Sequence, residues 1–168
     1  MELANNKILI INTGGTFNKI YDEISGKLIV QKNNNAILDI LKNGKIFDTK
    51  TYGLIYKDSL FINKTDRKKL KNYIQNSIYT KIIIIHGTDT MDKTALYLSK
   101  KIITKQIILT GSMKPFYLNQ IEATSNLMMA YGFLTSCQRN GIYISMHGII
   151  KKHNKITKDK QLGIFKCL

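Results

Sequence analysis

The sequence predicts an α/β protein in which a mainly parallel sheet lies between two layers of helices. Three observations point there. Apolar runs of strand length alternate with amphipathic segments of helix length, the pattern of a parallel sheet covered on both faces. Four of the runs carry Ile, Leu and Val with little alternation, as strands buried on both sides do. Two of them, Ile8-Leu9-Ile10-Ile11 and Ile82-Ile83-Ile84-Ile85, lead directly into turns rich in threonine and glycine, and ligands of open parallel sheets bind beyond the carboxyl ends of the strands. The expected architecture is a three-layer, Rossmann-like sandwich.

In chain order, strands are expected at Lys7–Asn12, Thr49–Tyr56, Lys81–His86, Gln106–Thr110 and Gly141–Met146. After the first strand, residues 17–31 resist the helix–strand alternation. They read as two short extended pieces around Ser25-Gly26, a β-hairpin flap beside the first turn. Asn34 or Asn35 can cap a helix bearing Ile37, Leu38 and Leu41, with Gly44 in the left-handed position after its end. Thr65 with Asp66 starts a second helix through Leu70, Tyr73 and Ile74. Thr90 or Met91 starts a third, with Ala95, Leu96, Leu98 and Ile102 inward. The longest runs from about Asn119 to Arg139, where Leu127, Ala130, Tyr131 and Leu134 recur at helical spacing.

A chain of 168 residues fits one domain, 1–168, large enough to bury a core without disulfides or metals. Cys137 and Cys167 stand far apart and outside any metal-ligand spacing, so free thiols in a reducing compartment are expected. Met1 to Lys7 is short and polar, the apolar run after it is too brief for a signal peptide, and nothing approaches the length of a membrane span. These features predict a cytoplasmic protein with no membrane partner. The net charge of +15 could attract polyanions. Lysines are nevertheless scattered along the whole chain, and Arg67 and Arg139 are its only arginines. Nucleic-acid sites cluster arginine with exposed aromatics, so a nucleic-acid partner is not expected. Arg67-Lys68-Lys69-Leu70-Lys71 reads as the wet face of a helix.

The first turn, Thr13-Gly14-Gly15-Thr16, lets the backbone approach a ligand closely, with glycine amides free to donate to an anionic group. It leaves the Thr16 hydroxyl at the rim. A hydroxyl attacks a carbonyl only if its proton is removed, which calls for a base or relay; Tyr21, Asp89 and Lys158 are available. Alone, the turn reads equally as an anion cradle or a structural bend. The second turn, His86-Gly87-Thr88-Asp89-Thr90, sets a hydroxyl and a carboxylate at a helix mouth. Capping accounts for one of Asp89 and the threonines but not for the whole string. Lys158 alone would read as a solvated charge, and Asp58-Ser59 as an ordinary turn. His86 is expected to pack or hydrogen-bond at its strand end, and His147 and His153 to be incidental. The Met128-Met129 pair and Tyr131 read as core or oligomer surface.

Together, Thr13-Gly14-Gly15-Thr16 and His86-Gly87-Thr88-Asp89-Thr90-Met91, with Thr94-Ala95 following, resemble the two signature motifs of the bacterial-type L-asparaginase/glutaminase family. The likeness continues through Thr110-Gly111-Ser112-Met113-Lys114-Pro115 and Asn126 and ends at Lys155-Ile156-Thr157-Lys158. It covers nearly the whole chain, but only the family's larger N-terminal domain. The chain thus looks like a short single-domain form.

That resemblance implies an amidohydrolase acting on L-asparagine or a related small amide, without metal or cofactor. Thr16 would be the first nucleophile, assisted by Tyr21 of the flap. Thr88, Asp89 and Lys158 would form a second triad, with Lys158 as proton relay. Substrate contacts would come from Gly15, Asp58, Ser59, Thr88, Asp89 and Ser112. Two departures stand out. Tyr21 lies nearer Thr16 than the flap tyrosine of full-length enzymes, and Leu60 and Phe61 replace polar residues after Ser59. In full-length members a C-terminal domain of a neighbouring subunit completes the site, so a homo-oligomer, dimer or tetramer, is implied. The alternative is a catalytically silent module that binds an amino acid in the same cleft.

Overall fold

The structure is a computed structural model and describes residues 7–168. The leader reading of the N-terminus falls largely on residues 1–6, outside that range.

Five strands run parallel in the main sheet: β1 (Ile8–Gly14), β4 (Thr49–Lys57), β5 (Lys81–Ile85), β6 (Gln106–Thr110) and β7 (Gly141–Met146). A sixth, β8 (Ile149–Lys152), returns antiparallel to β7, and the order is β4-β1-β5-β6-β7-β8. All five expected strands are present. Between β1 and β4 the chain forms the expected hairpin, β2 (Lys19–Asp22) paired with β3 (Lys27–Val30). Its turn is held by Asp22, whose carbonyl accepts from Gly26 N at 2.8 Å and whose carboxylate accepts from Ser25 N at 3.0 Å.

Successive side chains of a strand point to opposite faces, and both faces of this sheet are apolar. Leu9, Ile11, Ile82, Ile84, Ile107 and Leu109 face α2 (Lys64–Asn76) and α3 (Met91–Ser99). Ile8, Ile10, Ile83, Ile85 and Ile108 face α1 (Asn35–Asn43) and α4 (Gln120–Ser136). Each isoleucine buried this completely contributes about 2 kcal/mol of transfer free energy, which is why these runs lack the alternation of a half-exposed strand. The edge strand β4 buries only Leu54 and Ile55. None of the described helices is long and apolar enough to cross a membrane.

Several local expectations are corrected. The cap of α2 is Asn63, which accepts from Asp66 N at 3.0 Å while Asp66 accepts from Asn63 N, a reciprocal capping box. Asn34 precedes α1 but spends its side chain on Asn12 Nδ2 at 3.0 Å. After α1 the left-handed residue is Lys45 (φ 54°), not Gly44 (φ −78°). Gly44 is small for another reason: a Cβ there would lie 3.3 Å from Met128 Sδ of α4. Leu38 and Leu96 point outward, about half exposed. The longest helix stops at Ser136, short of Arg139.

The C-terminal stretch forms a second, two-stranded sheet, β9 (Ile156–Asp159) with β10 (Ile164–Cys167), whose Ile156 and Phe165 join the α2/α3 side of the core. From β1 the connection runs to one side of the sheet, to β4, and then crosses back to β5 on the other. Strand order therefore switches between β1 and β5, where a crevice opens at the carboxyl ends. Both threonine turns leave the sheet there.

Candidate active site

The two turns meet through their glycines. A Cβ added at Gly15 (φ 79°) would lie 2.4 Å from Gly87 N, and one at Gly14 (φ 96°) would lie 2.6 Å from the Lys57 backbone. Neither position admits a side chain, by conformation or by space. Thr13 is fully buried and donates to Ile85 O at 2.8 Å, tying the end of β1 to β5. The Gly14 and Gly15 amides are not free, contrary to expectation. Gly14 N donates to Asn12 Oδ1 and Gly15 N to Lys57 O, both at 2.9 Å. The first turn is thus a braced bend that presents Thr16, half-buried, at the crevice.

On the second turn the structure brings Thr88, Asp89 and Lys158 together. Lys158 Nζ donates to Thr88 Oγ1 at 2.9 Å and to Asp89 Oδ1 at 2.7 Å. The lysine side chain is only 13% exposed, so it is not the solvated charge that its basic neighbourhood suggests. Asp89 serves this ion pair and leaves α3 without a side-chain cap. A cleft of about 130 Å³ opens beside them, lined by Thr88, Asp89, Lys158, Thr157 and Phe165.

Ser59 is 1% exposed, and its hydroxyl is one of the buried polar atoms left without a partner. It packs against the second turn so closely that a Cβ on Gly87 would lie 2.7 Å from Ser59 Oγ. A buried hydroxyl lacking a hydrogen bond costs free energy unless something else supplies one. Asp58 is already engaged, receiving Lys19 Nζ at 2.6 Å and Leu60 N at 3.1 Å. Burial opposes ionisation of its carboxyl, but the Lys19 ammonium and these hydrogen bonds outweigh it and hold Asp58 below the ordinary carboxylate range.

One residue named from the sequence is not brought in. Tyr21 is 55% exposed, and its hydroxyl lies on its own hairpin, 3.9 Å from where a Gly26 Cβ would stand. Among the described residues it makes no hydrogen bond to Thr16. Ser112 is buried and turns its hydroxyl to Lys114 O. Its neighbour Met113 reaches the site instead, accepting from Thr88 Oγ1 through Sδ at 3.3 Å.

Sequence reasoning foresaw a packed, hydrogen-bonded His86 and named Asn126, but missed the supporting roles of Arg67, His147 and Glu122. Arg67 does not belong to a wet helix face: it donates to Thr94 Oγ1 at 2.9 Å, to Ile62 O at 3.0 Å and to Thr90 Oγ1 at 3.2 Å. A lone arginine within a lysine-rich run was the available signal. His86 is fully buried between Gly87 O, 2.8 Å from Nδ1, and Thr94 Oγ1, 2.9 Å from Nε2. Burial pushes its pKa down to about 4. His147 is not incidental either. Its Nδ1 accepts from Phe165 N at 3.1 Å and its Nε2 meets Glu122 Oε1 at 2.9 Å. Since an amide can only donate, the proton sits on Nε2 and points to Glu122. That carboxylate also receives the Met113 and Lys114 amides at 2.8 and 3.1 Å. Phe165 lies opposite Lys158 in the β9–β10 pair, so this node anchors the strand that carries the lysine. Asn126 completes the support, donating to Gly111 O and accepting from His147 N, both at 2.9 Å.

Solved L-asparaginases share this α/β fold. The L-asparaginase of Thermococcus kodakarensis superposes with a TM-score of 0.81 at 26% identity, over 96% of this chain and 51% of that one. L-asparaginase I of Vibrio cholerae (TM-score 0.83) and a probable cytoplasmic L-asparaginase of Campylobacter jejuni (0.76) share the fold at 21% identity, each over about half of its own length. In sequence, the chain is 28% identical to the Thermococcus kodakarensis enzyme across 94% of its length. It is 29% identical to a glutaminase-asparaginase of Acinetobacter glutaminasificans over 94 residues, 54% of this chain and 28% of that protein. The family model described as "Asparaginase, N-terminal" matches residues 7–164, and the chain belongs to that family. It spans 49% of the Thermococcus kodakarensis relative's length.

Proposed function

We propose that the chain is an amidohydrolase of the asparaginase type, converting L-asparagine or a related small amide to the acid and ammonia. The observation that carries this is the Lys158 ammonium, held 2.9 Å from Thr88 Oγ1 and 2.7 Å from Asp89 Oδ1 at the strand-order switch. It is a hydroxyl, a proton-handling cation and its counter-ion in one hydrogen-bonded unit.

In this reading the Thr16 oxygen adds to the amide carbonyl as its proton is taken up within the site. That proton passes to the nitrogen of the tetrahedral intermediate, the C–N bond breaks to release ammonia, and a threonine ester remains. Water then adds to the ester, and the C–O bond to Thr16 breaks to release the acid. Lys158 relays the proton at Thr88, and Asp89 holds the lysine in place. Asp89 is 43% exposed in its side chain and has a second oxygen to offer a substrate ammonium. The unpartnered Ser59 hydroxyl suits the substrate carboxylate, with Gly15 supplying the close approach. Asp58 acts through Lys19 and the turn that presents Ser59, Ser112 through the loop that carries Met113, and Tyr21 belongs to the reading as the flap residue. We also propose a homo-oligomer, dimer or tetramer, because Leu60 and Phe61 stand 67% and 74% exposed beside Ser59, where a second copy would close the crevice. A cytoplasmic location suits the two free cysteines.

Purified protein incubated with asparagine, glutamine and small amides should release ammonia, and Thr16→Ala and Lys158→Met should not. No turnover at high enzyme concentration, with amino-acid binding retained in a thermal shift, would replace this reading with that of a silent binding module. That second reading draws on Thr16, which has no side-chain base in hydrogen-bond reach among the described residues.

A further inference from the structure

We propose that Arg67 is a positioning residue that sets both halves of the site, the Ser59 turn and the Gly87-Thr88 turn, through two threonine hydroxyls. The inference rests on the amidohydrolase reading for its kinetic consequences and on geometry alone for its structural ones.

The chemistry of the donors fixes the direction of each hydrogen bond. A guanidinium donates and never accepts. Thr90 Oγ1 and Thr94 Oγ1 therefore take their bonds from Arg67 with lone pairs, at 3.2 and 2.9 Å. Each is left with one proton to pass on. Thr90 gives its proton to Ser59 O at 2.8 Å. Thr94 gives its own to His86 Nε2 at 2.9 Å. With Nε2 accepting, the imidazole proton is on Nδ1, 2.8 Å from Gly87 O, which can only accept. Two relays thus leave one guanidinium: Arg67–Thr90–Ser59 and Arg67–Thr94–His86–Gly87.

Both relays end on groups that the site cannot afford to have shift. Gly87 is clamped between Gly15 and Ser59, with virtual Cβ contacts of 2.4 and 2.7 Å, and immediately precedes Thr88. Ser59 carries the unpartnered buried hydroxyl. The third Arg67 bond, to Ile62 O at 3.0 Å, fixes the guanidinium where the chain enters α2. A lysine offers one rotating ammonium and cannot span three acceptors in a plane as the guanidinium fork does. In a chain with 26 cationic side chains, only two of them arginine, the choice of arginine at this position is explained by that fork.

The test has a structural arm and a kinetic arm. In protein labelled with 15N-histidine, long-range 1H–15N spectra should show His86 as the neutral Nδ1–H tautomer. The Nε2 resonance should move to the position of a free ring nitrogen in Thr94→Val and part of the way there in Arg67→Gln. Kinetically, Thr90→Val should raise KM by about tenfold with kcat little changed, and Thr94→Val should lower kcat by about tenfold with KM little changed. Arg67→Gln should do both, and Arg67→Lys should recover less than half of the loss. A uniform structural role predicts instead that kcat and KM keep their values per folded molecule. That result, or an unmoved Nε2 resonance in folded variants, overturns the proposal. Should Arg67→Gln not fold, Arg67→Lys and the two threonine variants decide it alone. Absence of turnover in the parent protein would remove the amidohydrolase reading and leave the spectroscopic arm to decide.

Discussion

Gly15 and Gly87 touch backbone to backbone: a single added carbon on the first would stand 2.4 Å from the nitrogen of the second. The two threonine turns are therefore set relative to each other by direct main-chain contact. Gly15→Ala should cost about 2 kcal/mol or more in urea unfolding, since both a left-handed backbone and a clash with main-chain atoms oppose the methyl. A stability loss under about 0.5 kcal/mol, the range of ordinary surface substitutions, would contradict the contact.

Gly87→Ala tests a different thing. No left-handed backbone is required at Gly87, and the added Cβ meets the Ser59 side chain at 2.7 Å. Displacement of the serine should raise KM by about tenfold or more, with a smaller loss of stability than Gly15→Ala. Ammonia release over a range of amide concentrations measures it.

Lys158→Met keeps the length of the side chain and removes its three donors. Turnover should fall by about a hundredfold or more, the contribution typical of a positioned proton-transfer group, while urea unfolding changes little. Survival of more than a tenth of the activity would show that the lysine is not the relay.

His86 makes stability depend on pH in a defined direction. Its folded pKa of about 4 lies below the ordinary 6.5, so the folded state resists the proton that the unfolded chain takes up. Its contribution is complete above pH 6.5 and is lost as pH falls toward 4. The loss is on the order of 3 kcal/mol. Unfolding free energies at pH 4.5 and 7.5 should differ more for the parent than for His86→Gln. Equal slopes would refute the assignment.

Glu122→Gln should loosen the strand that carries Lys158, because the carboxylate receives His147 Nε2 and two loop amides. A cost of about 1–3 kcal/mol is expected for weakening a part-buried, charge-assisted node. Amide hydrogen exchange at Phe165, whose N–H ends on His147 Nδ1, should quicken. Unchanged protection there would break the proposed link.

What was legible in the sequence follows the physics of burial. Strands β1, β5, β6 and β7 are buried on both faces, so their composition alone announces them, and the glycine-threonine turns at their ends marked the crevice. Strands β8, β9 and β10 are four residues each and half-exposed. Their lysine-rich residues, such as Lys151-Lys152 and Thr157-Lys158-Asp159, gave no strand signal because at most one buried side chain per strand leaves no period to detect. The supporting network was hidden for a related reason. Arg67, His147 and Glu122 each have a decisive partner 18 to 27 residues away, a kind of information that spacing along the chain does not hold. Met113 gave no sign of its own, because only the turn after β6 decides that its sulfur faces Thr88.

The β9–β10 hairpin bears on how the protein comes into being. Lys158 lies on a small sheet of its own, added after every strand of the main sheet. A chain emerging from the ribosome completes both threonine turns, and the sheet that aligns them, before the lysine exists. Until that hairpin docks, Thr88 and Asp89 stand in place without the Lys158 ammonium that bonds to both.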